Sequence, residues 1–130
     1  MGLSGSGKTT LARKLNESIT DSVWFNADDQ RKLNNDWDFS VNGRKRQAIR
    51  MAELAESCGA QFIICDFIAA LEDQRTIFDA DFVIWMDTIP SCKFEDTNKM
   101  FQPPCRYNLK IESFDAATVS NVLAAMESNN

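Results

Sequence analysis

Histidine is absent from this chain of 130 residues. Imidazole acid–base chemistry is therefore excluded, and any catalytic base must be a carboxylate, a lysine or a group on the substrate. Cys58, Cys65, Cys92 and Cys105 form no C-x-x-C pair, so a zinc site lacks its usual donors. The same cysteines suit a reduced, cytoplasmic setting. No apolar run approaches about 18 residues, so no segment reads as a membrane-spanning helix, and no signal peptide is visible. Basic stripes are also missing: the net charge is −5. That acidity argues against coating nucleic acid, but leaves room for a small anion held by a few local arginines. Internal repeats, low-complexity tracts and linkers are lacking too. What remains is 44% hydrophobic and 25% charged, the composition of one globular domain over residues 1–130.

The first ten residues carry the strongest pattern. Gly2-Leu-Ser4-Gly5-Ser6-Gly7-Lys8-Thr9 is a complete G-x-x-x-x-G-K-[ST] phosphate loop, followed by Thr10. Glycines let the backbone curl so that successive N–H groups face phosphate oxygens. Lys8 places an ammonium between the outer phosphates, and the Thr9 hydroxyl can ligate Mg²⁺. A helix over Thr9 to Ile19, with Leu11, Leu15 and Ile19 on one face, adds its positive end to the same site. ATP with Mg²⁺ is the expected ligand. Such a loop normally follows a buried strand, and only Met1 precedes Gly2 here. The first strand is expected to be vestigial, or to be encoded upstream.

Along the rest of the chain, apolar runs at Ser22–Asn26, Gln61–Asp66 and Phe82–Met86 read as buried strands, with a possible edge strand at Tyr107–Ile111. Helical patterns fall at Ala27–Leu33, Gly43–Cys58 and Leu71–Phe78, with a last helix capped by Asp115 that turns Val119, Val122, Leu123 and Met126 inward. Residues 88–104 hold three prolines and little periodicity, and read as a mobile lid or long loop. Strand alternating with helix predicts an α/β fold: a small, doubly wound parallel sheet of the phosphate-loop type with a truncated first strand. Ligands of such sheets bind at the carboxyl ends of the strands.

Two segments lie where that rule puts chemistry. In Asn26-Ala-Asp28-Asp29-Gln-Arg31, Asp28 could accept a proton from an attacking hydroxyl or help position Mg²⁺, and Arg31 could hold an anion. Helix capping by Asp28 or Asp29 is the competing reading. In Asp36-Trp-Asp-Phe39-Ser40 followed by Arg44-Lys-Arg46, an aromatic beside arginines suits an anionic nucleotide, against a core phenylalanine and a solvated helix start. Asp66 closes an apolar run of four, the pattern of a carboxylate that reaches Mg²⁺ through water, against a plain strand-end turn. Trp24, Trp37 and Trp85 read as packing residues.

Together these segments resemble the adenylylsulfate kinases, which phosphorylate the 3′-hydroxyl of adenosine 5′-phosphosulfate (APS). That family shows G-L-S-G-S-G-K-[ST]-T, then D-G-D-N-x-R, G-F-S, D-R-x-E-N-I-R-R and A-F-I-S-P. Gly2–Thr10 matches the first almost letter for letter. Asn26–Arg31, Asp38-Phe39-Ser40, Arg44–Arg50 and Asp66–Ala70 follow in the family's order. The resemblance implies that Lys8 and Asp28 are catalytic. It implies that Arg31 and Arg44 bind the phosphosulfate end, that Phe39 stacks on the acceptor adenine, and that Gln47 keeps an amide contact. Phe67 and Ile68 stand in the family's fifth, substrate-binding segment. Asn26 replaces the first aspartate of the second motif. The family's lid stretches are replaced by a shorter Lys93–Pro104, in which Phe101, or else Phe94, is the substitute for a second stacking aromatic. The expected function is ATP-dependent phosphoryl transfer to a small hydroxyl acceptor, APS first. A kinase for another small metabolite or a nucleic-acid 5′ end, and a nucleotide-binding protein with little turnover, are the alternatives. A homodimer is left open.

Overall fold

The structure, a computed structural model, describes residues 1–129. Its elements run α1 (Lys8–Ser18), β1 (Ser22–Asn26), α2 (Ala27–Asn34), α3 (Val41–Ser57), β2 (Phe62–Asp66), α4 (Glu72–Phe78), β3 (Ile84–Met86), α5 (Glu95–Met100), β4 (Leu109–Ile111) and α6 (Thr118–Ser128). All strand pairing is parallel. β1 pairs β2 from Ser22↔Phe62 to Asn26↔Asp66, and β3 pairs β4 from Ile84↔Leu109 to Met86↔Ile111.

Between the two strand pairs lies only the stub expected of a truncated first strand. Gly2 bridges Met86 in parallel. The Met86 N–H donates to the Met1 carbonyl at 2.8 Å, and the Gly2 N–H donates to the Ile68 carbonyl at 3.3 Å. Two residues thus reach from the β3 side to the segment that leaves β2, and they set the phosphate loop at the carboxyl end of the sheet.

Side-chain alternation along the strands sends residues to two layers. Ile64 and Ile84 join Leu11, Leu15, Met86, Ile111 and Val122, under α1 and α6. Phe25 and Cys65 join Ala48, Met51 and Phe67, under α3 and α4. Helices cover both faces, so the sheet is doubly wound. Met51 and Val122 are fully buried. Truncating Met51 to alanine costs about 2–5 kcal/mol on that account.

Three local expectations change. Residues 88–104, read as a mobile lid or long loop, hold a short helix, α5, and are fastened near their end. The Gln102 N–H donates to the Ala70 carbonyl and the Glu72 N–H to Gln102 Oε1, both at 2.8 Å. Asp115 does not cap α6. It accepts from the Ala117 N–H at 2.8 Å and braces the turn, and the helix starts at Thr118. β1 is half-buried along its whole length rather than buried, and so are Phe62–Cys65 of β2, where only Asp66 is buried.

Candidate active site

Gly7 sets the geometry of the phosphate loop. Its φ of 99° puts the residue before α1 in the left-handed region, where a side chain would be strained. Ser4 and Gly5 form the turn, which the Ser6 N–H closes on the Leu3 carbonyl at 3.1 Å. The Ser6 carbonyl is pinned by the Thr88 hydroxyl at 2.7 Å. Lys8 arches back across the loop, its Nζ donating to the Leu3 carbonyl at 2.9 Å. Burial pushes its pKa down, while the charges of Asp66 and Asp28 hold it up. Lys8 therefore lies within electrostatic reach of both carboxylates. Thr10 follows in the first turn of α1.

The carboxyl ends of β1 and β2 face this loop. The Thr9 hydroxyl donates to Asp66 Oδ2 at 3.0 Å, and Asn26 Nδ2 donates to the same oxygen at 2.8 Å. Asp66 is only 5% exposed. Its pairing with the loop hydroxyl puts two oxygen donors of the right type for Mg²⁺ side by side, which a plain turn aspartate would not do. Asn26 has a second task. Its Oδ1 accepts from the Asp29 N–H at 3.0 Å and so caps α2. Neither Asp28 nor Asp29 caps the helix. Asp28 is exposed in the first turn, and among the described residues its carboxylate has no hydrogen-bond or ion-pair partner.

Arg31 and Arg44 define the other half of the site. Both are buried, at 4% and 3% exposure. Arg31 Nη1 donates to the Asp36 and Asp38 carbonyls at 3.0 and 3.1 Å, and its guanidinium carbon lies 4.2 Å from the centre of the Phe39 ring. Arg44 Nε donates to the Phe39 carbonyl and Nη2 to the Thr97 hydroxyl of α5, both at 2.8 Å. Its guanidinium lies 5.5 Å from the same ring. Among the described residues no carboxylate pairs with either one. Burial lowers both pKa values; for Arg31 the charge of Asp36 opposes the effect and the neighbouring Arg44 adds to it, and for Arg44 the charge of Asp96 opposes it.

Gln47 is 2% exposed and its amide is engaged at both ends. Nε2 donates to the Ala27 carbonyl at 2.9 Å, while Oε1 accepts from Arg50, which in turn donates to Asp36 at 2.8 Å. Gln47 is thus a strut between α3 and the start of α2 rather than a group facing the site. The Phe67 ring also turns away, meeting Phe78 edge-on at 5.3 Å in the core. Ile68 contributes its carbonyl to the stub at Gly2. Phe101 lies against Arg75, 5.5 Å from its guanidinium, and Phe94 against Lys93. Neither borders the open hollow of about 600 Å³ beside Phe39. That hollow is lined by Trp37, Phe39, Ser40, Asp96, Lys99 and Met100. Trp37, read from sequence as packing, is 51% exposed in this wall. Its place two residues before Phe39, between two aspartates, is the signal that could have found it.

The sequence profile of the family described as adenylylsulphate kinase matches residues 1–100. No curated protein matches the chain by sequence. Among solved structures, the APS kinase CysC of Mycobacterium tuberculosis in complex with AMPPNP and APS superposes with a TM-score of 0.78 at 20% identity, covering 98% of this chain and 94% of that one. A cysteine-to-alanine variant of the same enzyme gives a TM-score of 0.75 at 24% identity, over 98% of this chain and 93% of that one. These superpositions agree with the doubly wound phosphate-loop fold described above. With the profile covering the phosphate loop, both strand-end carboxyl segments and the arginine–phenylalanine cluster, the chain belongs to the adenylylsulphate kinase family.

Proposed function

We propose that this ATP-dependent kinase transfers the γ-phosphoryl group of ATP to the 3′-hydroxyl of adenosine 5′-phosphosulfate. The observation that carries the acceptor is the pair Arg31 and Arg44. A buried cation with no ion-paired partner is costly, and two side by side cost more, so an anion bound against them stabilises the arrangement. The Phe39 ring against both guanidiniums offers a flat face next to that anion site. An adenine nucleotide with a doubly charged phosphosulfate end satisfies both demands.

In this reading the loop N–H groups and Lys8 hold the outer phosphates of ATP. Lys8 exchanges the Leu3 carbonyl for phosphate oxygens. Thr9 and Asp66 are the residues that would hold Mg²⁺, which when bound offsets phosphate charge. Arg31 and Arg44 orient the acceptor so that its hydroxyl lies in line with the γ-phosphorus. As the new O–P bond forms, the bond to the β–γ bridging oxygen breaks and ADP leaves. The hydroxyl proton passes to Asp28, whose carboxylate is exposed and has no hydrogen-bond or ion-pair partner among the described residues. Holding the reactants in line and matching charge supply most of the acceleration. A homodimer is compatible with this reading, and light scattering would count the copies.

The test is ADP release measured with ATP alone, with APS, and with a panel of small alcohols and nucleotides. ADP release that rises with APS above every other acceptor is the expected result. Release equal with and without APS would reject the acceptor, and release stimulated by a different hydroxyl compound would replace it.

A further inference from the structure

The stretch Asp36–Phe39 between α2 and α3 is irregular, and its side chains divide between two sides. The Asp36 and Asp38 carboxylates both meet Arg46: Nε lies 2.8 Å from Asp36 Oδ2, and Nη2 lies 2.9 Å from Asp36 Oδ1 and 3.2 Å from Asp38 Oδ2. Trp37 and Phe39 therefore share the opposite side, where both border the hollow against α5. Arg31 holds the two aspartate carbonyls from below. Gly43 lets the stretch lie close on α3, because a Cβ at that position would stand 2.1 Å from the Asp38 carbonyl oxygen. The stretch is fastened from three directions, yet it leaves Trp37 51% and Phe39 42% exposed. A fastened pair of exposed aromatics facing an open hollow, next to two buried cations that no carboxylate pairs with directly among the described residues, matches a ligand with a flat ring system joined to an anionic end.

We propose that Trp37 is a specificity-determining residue of the acceptor site, forming with Phe39 the apolar wall for a purine base. This rests on the reading of the acceptor as an anionic nucleotide. The Phe39 ring lies over the guanidiniums, so it takes the part of the base nearest the anionic end. Trp37 extends the wall outward, and Met100 of α5 borders the same space. Asp96 and Lys99 stand at the rim, within the set of groups a purine's polar edge would meet. The second aromatic surface thus comes from the same stretch as the first, not from Phe101, which lies against Arg75. A purine covers more of such a wall than a pyrimidine does, so the wall selects for base size.

The experiment combines fluorescence with steady-state kinetics on the wild type, Trp37→Ala and Trp37→Phe, with circular dichroism as the check on folding. APS titrated into the wild type is expected to quench tryptophan emission, and Trp37→Phe to abolish that quench although Trp24 and Trp85 remain. Trp37→Ala is expected to raise the acceptor KM by about 5-fold to 100-fold, against a small change in the ATP KM, and Trp37→Phe to recover part of the loss. An unchanged acceptor KM in a folded Trp37→Ala, or an undiminished quench in Trp37→Phe, would overturn the assignment while leaving the kinase reading in place. If the wild type neither binds nor phosphorylates APS, the acceptor reading has failed. Purine and pyrimidine nucleoside monophosphates then serve as probes. A purine-selective quench lost in Trp37→Phe supports the wall, and no quench by any of them overturns it.

Discussion

The two halves of the site balance their charges differently. On the nucleotide side Lys8 stands within reach of Asp66 and Asp28, and Thr9, Asn26 and Asp66 satisfy one another through hydrogen bonds. That half is poised without a ligand. On the side proposed for the acceptor, Arg31 and Arg44 are buried beneath Phe39 and hydrogen-bonded only to carbonyls and one hydroxyl, with Asp36 and Asp96 acting on them at longer range, and two aromatics stand open to solvent. That half is incomplete. The difference teaches that the phosphate loop of this chain is internally balanced, whereas the part proposed to choose the acceptor holds positive charge that no carboxylate pairs with directly among the described residues.

The comparison breaks most visibly at Lys8. Lys8→Ala should cut kcat by about 100-fold to 1,000-fold, because the lysine meets phosphate oxygens as charge shifts during transfer. The melting temperature should barely move; near wild-type turnover would remove the loop from the mechanism. Arg44→Met tests the incomplete half. Losing a charged hydrogen-bond donor should raise the acceptor KM by about 10-fold to 150-fold and spare that of ATP. Equal rises in both constants would mean that the two halves are not separate. Phe39→Ala and Phe101→Ala sharpen the boundary. The first should raise the acceptor KM by about 5-fold to 100-fold, and the second should leave it nearly unchanged. Matching effects would bring α5 into the base site.

Smaller effects follow from packing and from titration. Gly43→Ala should lower the unfolding free energy by about 1–3 kcal/mol, since the new methyl collides with Asp38. Denaturant titration reads the loss, and the acceptor KM should rise alongside it. Cys65 lies on β2 beside Asp66, and burial pushes its thiol up to about 12. Protonated at pH 8, it should be alkylated last, after the exposed Cys105. Mass spectrometry of a time course would order the four thiols, and early labelling of Cys65 would show that β2 opens readily.

Legibility followed the same division. The phosphate loop is a local pattern of fixed spacing, so Gly2–Thr9 could be read directly, and Asp66 stood out after four apolar residues. The alternation of strand and helix gave the doubly wound sheet. What sequence obscured depends on contacts across the fold. Gln47 fits the amide position of its motif, yet its partners are the Ala27 carbonyl and Arg50, and only the packing of α3 on α2 shows that. Phe67 and Trp37 exchanged expectations, because burial is decided by which layer a side chain meets. Residues 88–104 hid a helix of six residues, too short for periodicity to reveal, whose Thr97 reaches Arg44. Asn26 seemed a departure from its motif and is in fact the hinge between Thr9, Asp66 and the cap of α2.

The unmatched arginines also tie folding to supply. A ligand held only by the native state stabilises it by RT ln(1 + [L]/Kd), about 2.7 kcal/mol when the ligand stands at 100 times its Kd. An anion that relieves the repulsion between Arg31 and Arg44 therefore acts as a missing piece of the acceptor half. If the proposed acceptor binds there, the chain is sturdier at work than at rest, and it loses that share of its stability when the acceptor runs short.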